Sequence, residues 1–231
     1  IGDIPLTVTA ELSGYTKTIF SASTGKQEAA RLADLLPATL FPEKKKITIG
    51  GAYDLLLTGA ADMAPEPPVI TVNGSLKLDG ITVAIPETLK NPVKLDGTLS
   101  ITTTRLSVDG LTMKTGVSDL ALRGAMTDYK ALIFPCEGTE PLFKGLLSSA
   151  TLDLNDMLAG PATGRQAAPE KPVNLGELLR TLPIPPQLAI NADIKLGTVT
   201  FGKLKADSVE SSISVNKGVM KLDNIAIRAY H

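Results

Sequence analysis

At 231 residues the chain has room for one large domain or two small ones, and its 23 Lys+Arg against 24 Asp+Glu give a net charge of −1, which leaves no cationic footprint for nucleic acid. A single Cys and a single His exclude an intrachain disulfide, a Cys- or His-based metal site, and any Ser-His-Asp or Cys-His catalytic set, the one His being the last residue, His231. Hydrophobic residues make up 43% of the chain but aromatics only 4%, with no Trp, so the apolar content is Leu, Ile, Val and Ala, the composition of a surface for flexible aliphatic partners or of a plain Leu/Val-rich β core.

Ile1 opens directly into Ile4-Pro5-Leu6-Thr7-Val8, which reads as a strand pattern already under way rather than as a signal peptide. Thr24-Gly25-Lys26-Gln27 has the spacing of a capping box. Ala29, Leu32 and Leu36 follow at helical spacing and Pro37 ends the run, which predicts a first short amphipathic helix. Lys44, Lys45 and Lys46 precede the next strand; they read first as solvated charge that blunts aggregation, with a lipid-headgroup contact as the sharper alternative.

From there apolar residues alternate with Lys, Asp, Thr, Ser and Asn, the mark of a sheet with one buried and one wet face. The runs are Leu76, Leu78; Val93, Leu95, Leu99, Ile101; Leu106, Val108; Leu120, Leu122; and Leu152, Leu154. Three units share the form apolar-x-apolar-Asp-Gly, at Leu76–Gly80, Val93–Gly97 and Leu106–Gly110, and each can end a strand in a hairpin turn or a G1 bulge. Short connections of this kind predict an antiparallel meander. Cys136 reads as a small buried hydrophobe.

Residues 160–173, rich in Pro and Ala, have no apolar period and read as a flexible linker. Asn174 with Glu177 then starts a second predicted helix carrying Leu175, Leu178, Leu179 and Leu182, stopped at Pro183. The alternation resumes with Leu188, Ile190, Ala192, Ile194; Val199, Phe201; and Val209, Ile213, Val215. Parity changes between Leu222 and Ile225, which calls for a bulge or turn near Asp223-Asn224. Ala229-Tyr230-His231 breaks off inside the pattern. The organisation expected is therefore a first helix-plus-strands unit over 1–159, the linker, and a second unit over 174–231 continuing the same sheet, with both ends reading as cuts through a longer chain.

Catalytic chemistry finds little support. Asp153, Asn155 and Asp156 start like a calcium loop, but Leu158 and Gly164 stand where Gly and Glu are required, so turn chemistry is the reading. No phosphate-binding glycine loop occurs, and no pair of carboxylates is singled out for glycosidase work. No enzyme, cofactor or metal is expected.

Leu152-Asp153-Leu154-Asn155-Asp156-Met157-Leu158, the linker, and Leu182-Pro183-Ile184-Pro185-Pro186-Gln187-Leu188 together resemble AsmA-like bacterial envelope proteins. So do Ala189–Leu196, Phe201-Gly202-Lys203-Leu204 and the closing Asn216–Tyr230, where His231 stands in place of a frequent Gly; Gly74–Gly124 is similar to the family's middle region. The resemblance implies a periplasmic segment of a protein anchored in the inner membrane, related to TamB and to chorein-type lipid-transfer bridges. It further implies phospholipid acyl chains as ligand, carried along a hydrophobic groove for outer-membrane biogenesis, with outer-membrane assembly proteins as possible partners.

The fold expected is mainly β: an elongated, curved antiparallel meander sheet forming a groove, with two short amphipathic helices. Its lining would be Leu76, Leu78, Val93, Leu95, Leu99, Ile101, Leu106, Val108, Leu120, Leu122, Leu152, Leu154, Leu188, Ile190, Ile194, Val199, Phe201, Ile213 and Val215. About twelve strands at ~4.8 Å spacing would make a trough on the order of 55 Å long. The alternative is a structural or assembly module of the envelope in which the same residues close on each other as a β-sandwich core.

Overall fold

The computed structural model describes residues 5–13, 16–31, 47–66, 68–84, 91–132, 138–157, 188–202 and 204–228. They form one open sheet of eleven strands whose spatial order is the chain order. The strands are β1 (Thr7–Ser13), β2 (Lys17–Glu28), β3 (Thr48–Asp62), β4 (Val69–Ala84), β5 (Val93–Thr102), β6 (Arg105–Thr115), β7 (Ser118–Thr127), β8 (Leu142–Asp153), β9 (Ala189–Phe201), β10 (Leu204–Asn216) and β11 (Val219–Arg228). Thr, Val and Ile at alternate positions favour the extended backbone. Tight turns reverse it: between β10 and β11 the pair Lys217-Gly218 has φ of 49° and 73°, the two positive values of a type I′ hairpin. Among the described residues there is one sheet and no second layer facing it, so these residues do not form the closed sandwich.

Two expectations need correction. Every neighbouring pair is antiparallel except β8 and β9, which run parallel, with Leu142 beside Ala189 and Asp153 beside Thr200. A parallel pair needs a long return connection, and the stretch from 154 to 188 is long enough to supply it. The helices also differ. Thr24-Gly25-Lys26-Gln27 is not a helix start but part of β2, with Thr24 as an extra residue that shifts the register against β3. The residues that mimic a capping box satisfy this bulge instead. The Thr24 hydroxyl accepts from the Leu55 amide at 3.0 Å and donates to the Gly25 carbonyl, and the Gln27 side-chain amide donates to the Thr24 carbonyl at 2.8 Å. Ala29–Arg31 then form a 3-10 turn, and Leu32, Leu36 and Pro37 of the predicted helix lie outside the described residues.

The other helical pieces among the described residues are a 3-10 turn at Tyr129–Leu132 and one α-helical turn at Leu154–Met157. None of them is long and apolar enough to cross a membrane. The predicted second helix, the linker, the lysine run at 44–46 and Cys136 lie outside the described residues.

The Asp-Gly units do not end strands. They sit inside β4, β5 and β6, where the register shifts. Gly80 and Gly110 take positive φ, 58° and 103°, which a bulge of this kind demands. The aspartates tie the crease to neighbouring strands. Asp96 accepts from the Gly80 amide at 2.6 Å, Asp109 from the Ser100 hydroxyl at 2.5 Å, and Asp79 pairs with Lys26 at 2.7 Å. This exposed pair raises the Lys26 pKa and lowers that of Asp79, through its hydrogen bond first and its charge second. A second line of irregularity crosses the later strands. Ser208 (φ 56°) is the extra residue of β10 against β11, and Asn224 (φ 56°) marks the bulge foreseen near Asp223-Asn224. Bulges bend strands and increase twist, so the repeated Asp-Gly signal acts to curve the sheet rather than to terminate it.

Asp119 holds β7 to β8. Its carboxylate accepts from the Thr151 amide at 2.7 Å, the Ala150 amide at 3.0 Å and the Ser149 hydroxyl at 3.3 Å. The Thr151 amide is the main cause of a pKa held below the ordinary carboxylate value. The stabilisation from this ionised group is complete above the ordinary value and is lost as pH falls through the lowered one. Asp119→Ala should cost about 2 kcal/mol at neutral pH, and the gap between variant and parent in urea melts should close as the pH is brought down through that range.

Candidate functional site

Directly paired residues share a face of the sheet, so the register sorts every strand position into one of two sides. One row crosses all eleven strands: Val8, Ala22, Leu57, Gly74, Ile101, Leu106, Met126, Phe143, Ile190, Val215 and Met220. None of these side chains carries a nitrogen or oxygen. The next row on the same side runs Leu55, Leu76, Leu99, Val108, Gly124, Gly145, Ala192, Ile213 and Leu222 from β3 to β11. Between these rows, on the opposite side, lie Thr7, Ser23, Leu56, Ser75, Ser100, Ser107, Ala125, Lys144, Asn191, Ser214 and Lys221. The sheet is thus two-faced along its whole width, which ten gaps of ~4.8 Å put at about 48 Å.

Leu76, Leu78, Val93, Leu95, Leu99, Ile101, Leu106, Val108, Leu120, Leu122, Ile190, Ile194, Ile213 and Val215 all fall on the aliphatic side. Leu152, Val199 and Phe201 reach it by a change of pleat. Ile227 and Arg228 are chain neighbours and so face opposite ways, yet they pair with Val209 and Asp207, which the Ser208 bulge separates. Asp207 therefore turns to the polar side with its partner Thr198, whose hydroxyl donates to it at 2.8 Å, and Val199 with Leu152 turns to the aliphatic side. Leu154 does not lie in the sheet but in the helical turn, and Leu188 precedes β9.

The structure adds residues that sequence reasoning did not single out. Tyr53 and Ile81 are 4% exposed and form, with Ala29 of the first 3-10 turn, a buried cluster flanked by Leu76, Leu78, Val83 and Leu95. The signal was present as Tyr53-x-Leu55-x-Leu57, but Leu55-Leu56-Leu57 is three leucines in a row and hides the parity. Two of the strand phenylalanines, Phe20 and Phe143, lie over glycines. A Cβ on Gly59 would stand 2.4 Å from the Phe20 ring, and one on Gly145 would stand 2.6 Å from the Phe143 ring. These two rings are laid against backbone, so they contribute flat apolar surface rather than projecting platforms.

Of the residues that begin like a calcium loop, Asp153 and Asn155 are engaged locally in turn contacts. Asp153 accepts from the amide and side chain of Asn155, both at 2.9 Å, and the Asn155 side-chain oxygen accepts from the Gly202 amide at 2.8 Å. They stitch the turn after β8 to the end of β9. Compared with protein-family models, with curated proteins and with solved structures, the chain matches none.

Proposed function

We propose that this chain is a non-enzymatic segment of an AsmA-like envelope protein, in which the aliphatic face of the sheet binds or conducts phospholipid acyl chains. The parent protein would be anchored in the inner membrane and project into the periplasm, serving outer-membrane biogenesis. The observation that carries the reading is the row from Val8 to Met220: eleven consecutive strands present no polar side chain along one line. A ligand that is itself an unbranched hydrocarbon needs nothing else. Burying a ~16-carbon chain at ~0.8 kcal/mol per CH₂ is worth about 13 kcal/mol gross, before the entropy of immobilising it.

The reading is supported further by what covers the face. Among the described residues only the short turn at Ala29–Arg31 joins its buried cluster, and Leu12, Leu222, Ile225 and Ile227 toward the sheet's edges are 43–72% exposed. The alternative of an assembly module that docks an outer-membrane partner through a closed sandwich finds no second sheet among the described residues to close against.

Native mass spectrometry of the protein purified without detergent tests the proposal. Adducts with the masses of diacyl phospholipids are expected, and they should be displaced by a fluorescent fatty acid added in excess. A single apo mass that also takes up no fatty acid would remove the proposal.

A further inference from the structure

The opposite, polar face carries one feature that acyl-chain binding does not use. On the strands β6, β7 and β8 a depression of about 590 Å³ is lined by Arg105, Ser107, Arg123, Thr127 and Lys144, with Ala125 among them. The register explains the shape. Ala125 stands between Ser107 on one side and Lys144 on the other, and is 9% exposed, so a methyl group forms the floor. Arg123 and Thr127 precede and follow it by two residues on the same strand face, and Arg105 is the cross-strand partner of Thr127.

Cations are in excess here: Arg105, Arg123 and Lys144 line the depression with one carboxylate, Asp109, the direct cross-strand partner of Arg123. Arg105 spends its Nε on the Ser107 hydroxyl at 3.2 Å, which holds the guanidinium beside the depression and leaves its terminal nitrogens to spare. Asp109 accepts from the Ser100 hydroxyl through one oxygen and makes no ion pair with Arg123 among the described residues. The ion pairs among the described residues are Lys17–Asp62, Lys26–Asp79 and Lys94–Asp96, and none involves Arg105, Arg123 or Lys144. Three other depressions on this face are balanced or acidic: Lys26 and Lys77 meet Asp54 and Asp79, Lys195 and Lys205 meet Asp207 and Glu210, and Lys144, which borders the third as well, meets Asp193 and Asp223 there.

We infer that this depression is a binding site for a phosphate group. Two arginine forks from adjacent strands match the oxygens of a tetrahedral oxyanion, a lysine adds a point charge, and two hydroxyls supply further donors. The site lies on the face away from the aliphatic rows, so it stands or falls independently of acyl-chain binding. The same chemistry would recognise a soluble phosphate compound or a phosphate-bearing lipid headgroup at a membrane surface.

The test is a calorimetric titration of the whole chain with inorganic phosphate and with pyrophosphate in low-salt chloride buffer, acetate serving as comparator. Phosphate and pyrophosphate should bind and acetate should not. The double variant R105Q/R123Q should weaken binding at least about tenfold. Asp109→Asn, which removes the only lining carboxylate, should tighten it. A flotation arm with vesicles of phosphatidic acid against vesicles of phosphatidylcholine separates the sources: capture by the first alone, lost in the double variant, identifies a headgroup, and binding of the soluble anions without capture identifies a soluble ligand. Absence of phosphate and pyrophosphate binding, or binding that neither set of substitutions changes, overturns the inference.

Discussion

Leu99→Asp is expected to leave the sheet folded and to lower lipid occupancy at least about tenfold, read as the ratio of lipid-bound to apo species by native mass spectrometry. Leu99 is half-buried in the centre of the aliphatic side, paired with Leu76 on β4 and Val108 on β6. In a single layer a carboxylate at this position still reaches water when no ligand is present, so stability should drop by only about 2 kcal/mol, the burial lost with the leucine. With acyl chains laid along the row, the same carboxylate must be stripped of water against hydrocarbon, which costs several kcal/mol and is charged to the bound state alone. Leu99→Met conserves volume and should keep both fold and loading. Global unfolding of the Asp variant would point to a sealed core around this position, and unchanged loading would place the lipid elsewhere.

Gly51→Val should destabilise the protein by about 3 kcal/mol or more, seen as a lowered urea midpoint and as loss of amide protection across β3 and β4. Gly51 has φ of 91°, and a Cβ there would stand 2.3 Å from the Gly80 carbonyl oxygen and 2.7 Å from the Ile81 Cα. These are backbone atoms, so no change of side-chain rotamer relieves the clash. The crease has to open instead, and with it the buried contacts of Tyr53 and Ile81. Gly25→Ala supplies the comparison. Gly25 also has positive φ, 59°, but has nothing within 4 Å of its would-be Cβ, so the cost there should be only the backbone term of about 1 kcal/mol. Equal effects at the two sites would mean that the close packing of β3 on β4 at the crease contributes nothing.

Much of the sheet is legible in the chain, and the reason is local. Period-two alternation depends only on a residue and its second neighbour, so Val93-x-Leu95 and Leu99-x-Ile101 announce a strand and its greasy side without any knowledge of partners. Asp-Gly announces a place where the backbone leaves the regular pleat. It does not say whether the departure is a turn or a bulge, because that depends on whether the chain beyond it pairs onward. Thr24–Gln27 shows the same limit from another direction. A hydroxyl followed three residues later by an amide side chain serves a helix start or a strand bulge, and the pairing of Leu55 with the Thr24 hydroxyl decides for the bulge.

Local pattern is enough to give a mainly β chain with one aliphatic side, few aromatic rings and irregular points at Asp-Gly and Asp-Asn. Tertiary structure alone decided three further matters. It joined the separate apolar stripes into continuous rows, because each bulge inverts parity and only the register of the neighbouring strand says by how much. It set β9 parallel to β8, a choice made by a connection whose path no local signal encodes. And it brought Arg105, Arg123 and Lys144 around Ala125 from three strands, since residues up to 39 positions apart become neighbours only when the backbone hydrogen bonds of β6, β7 and β8 align them.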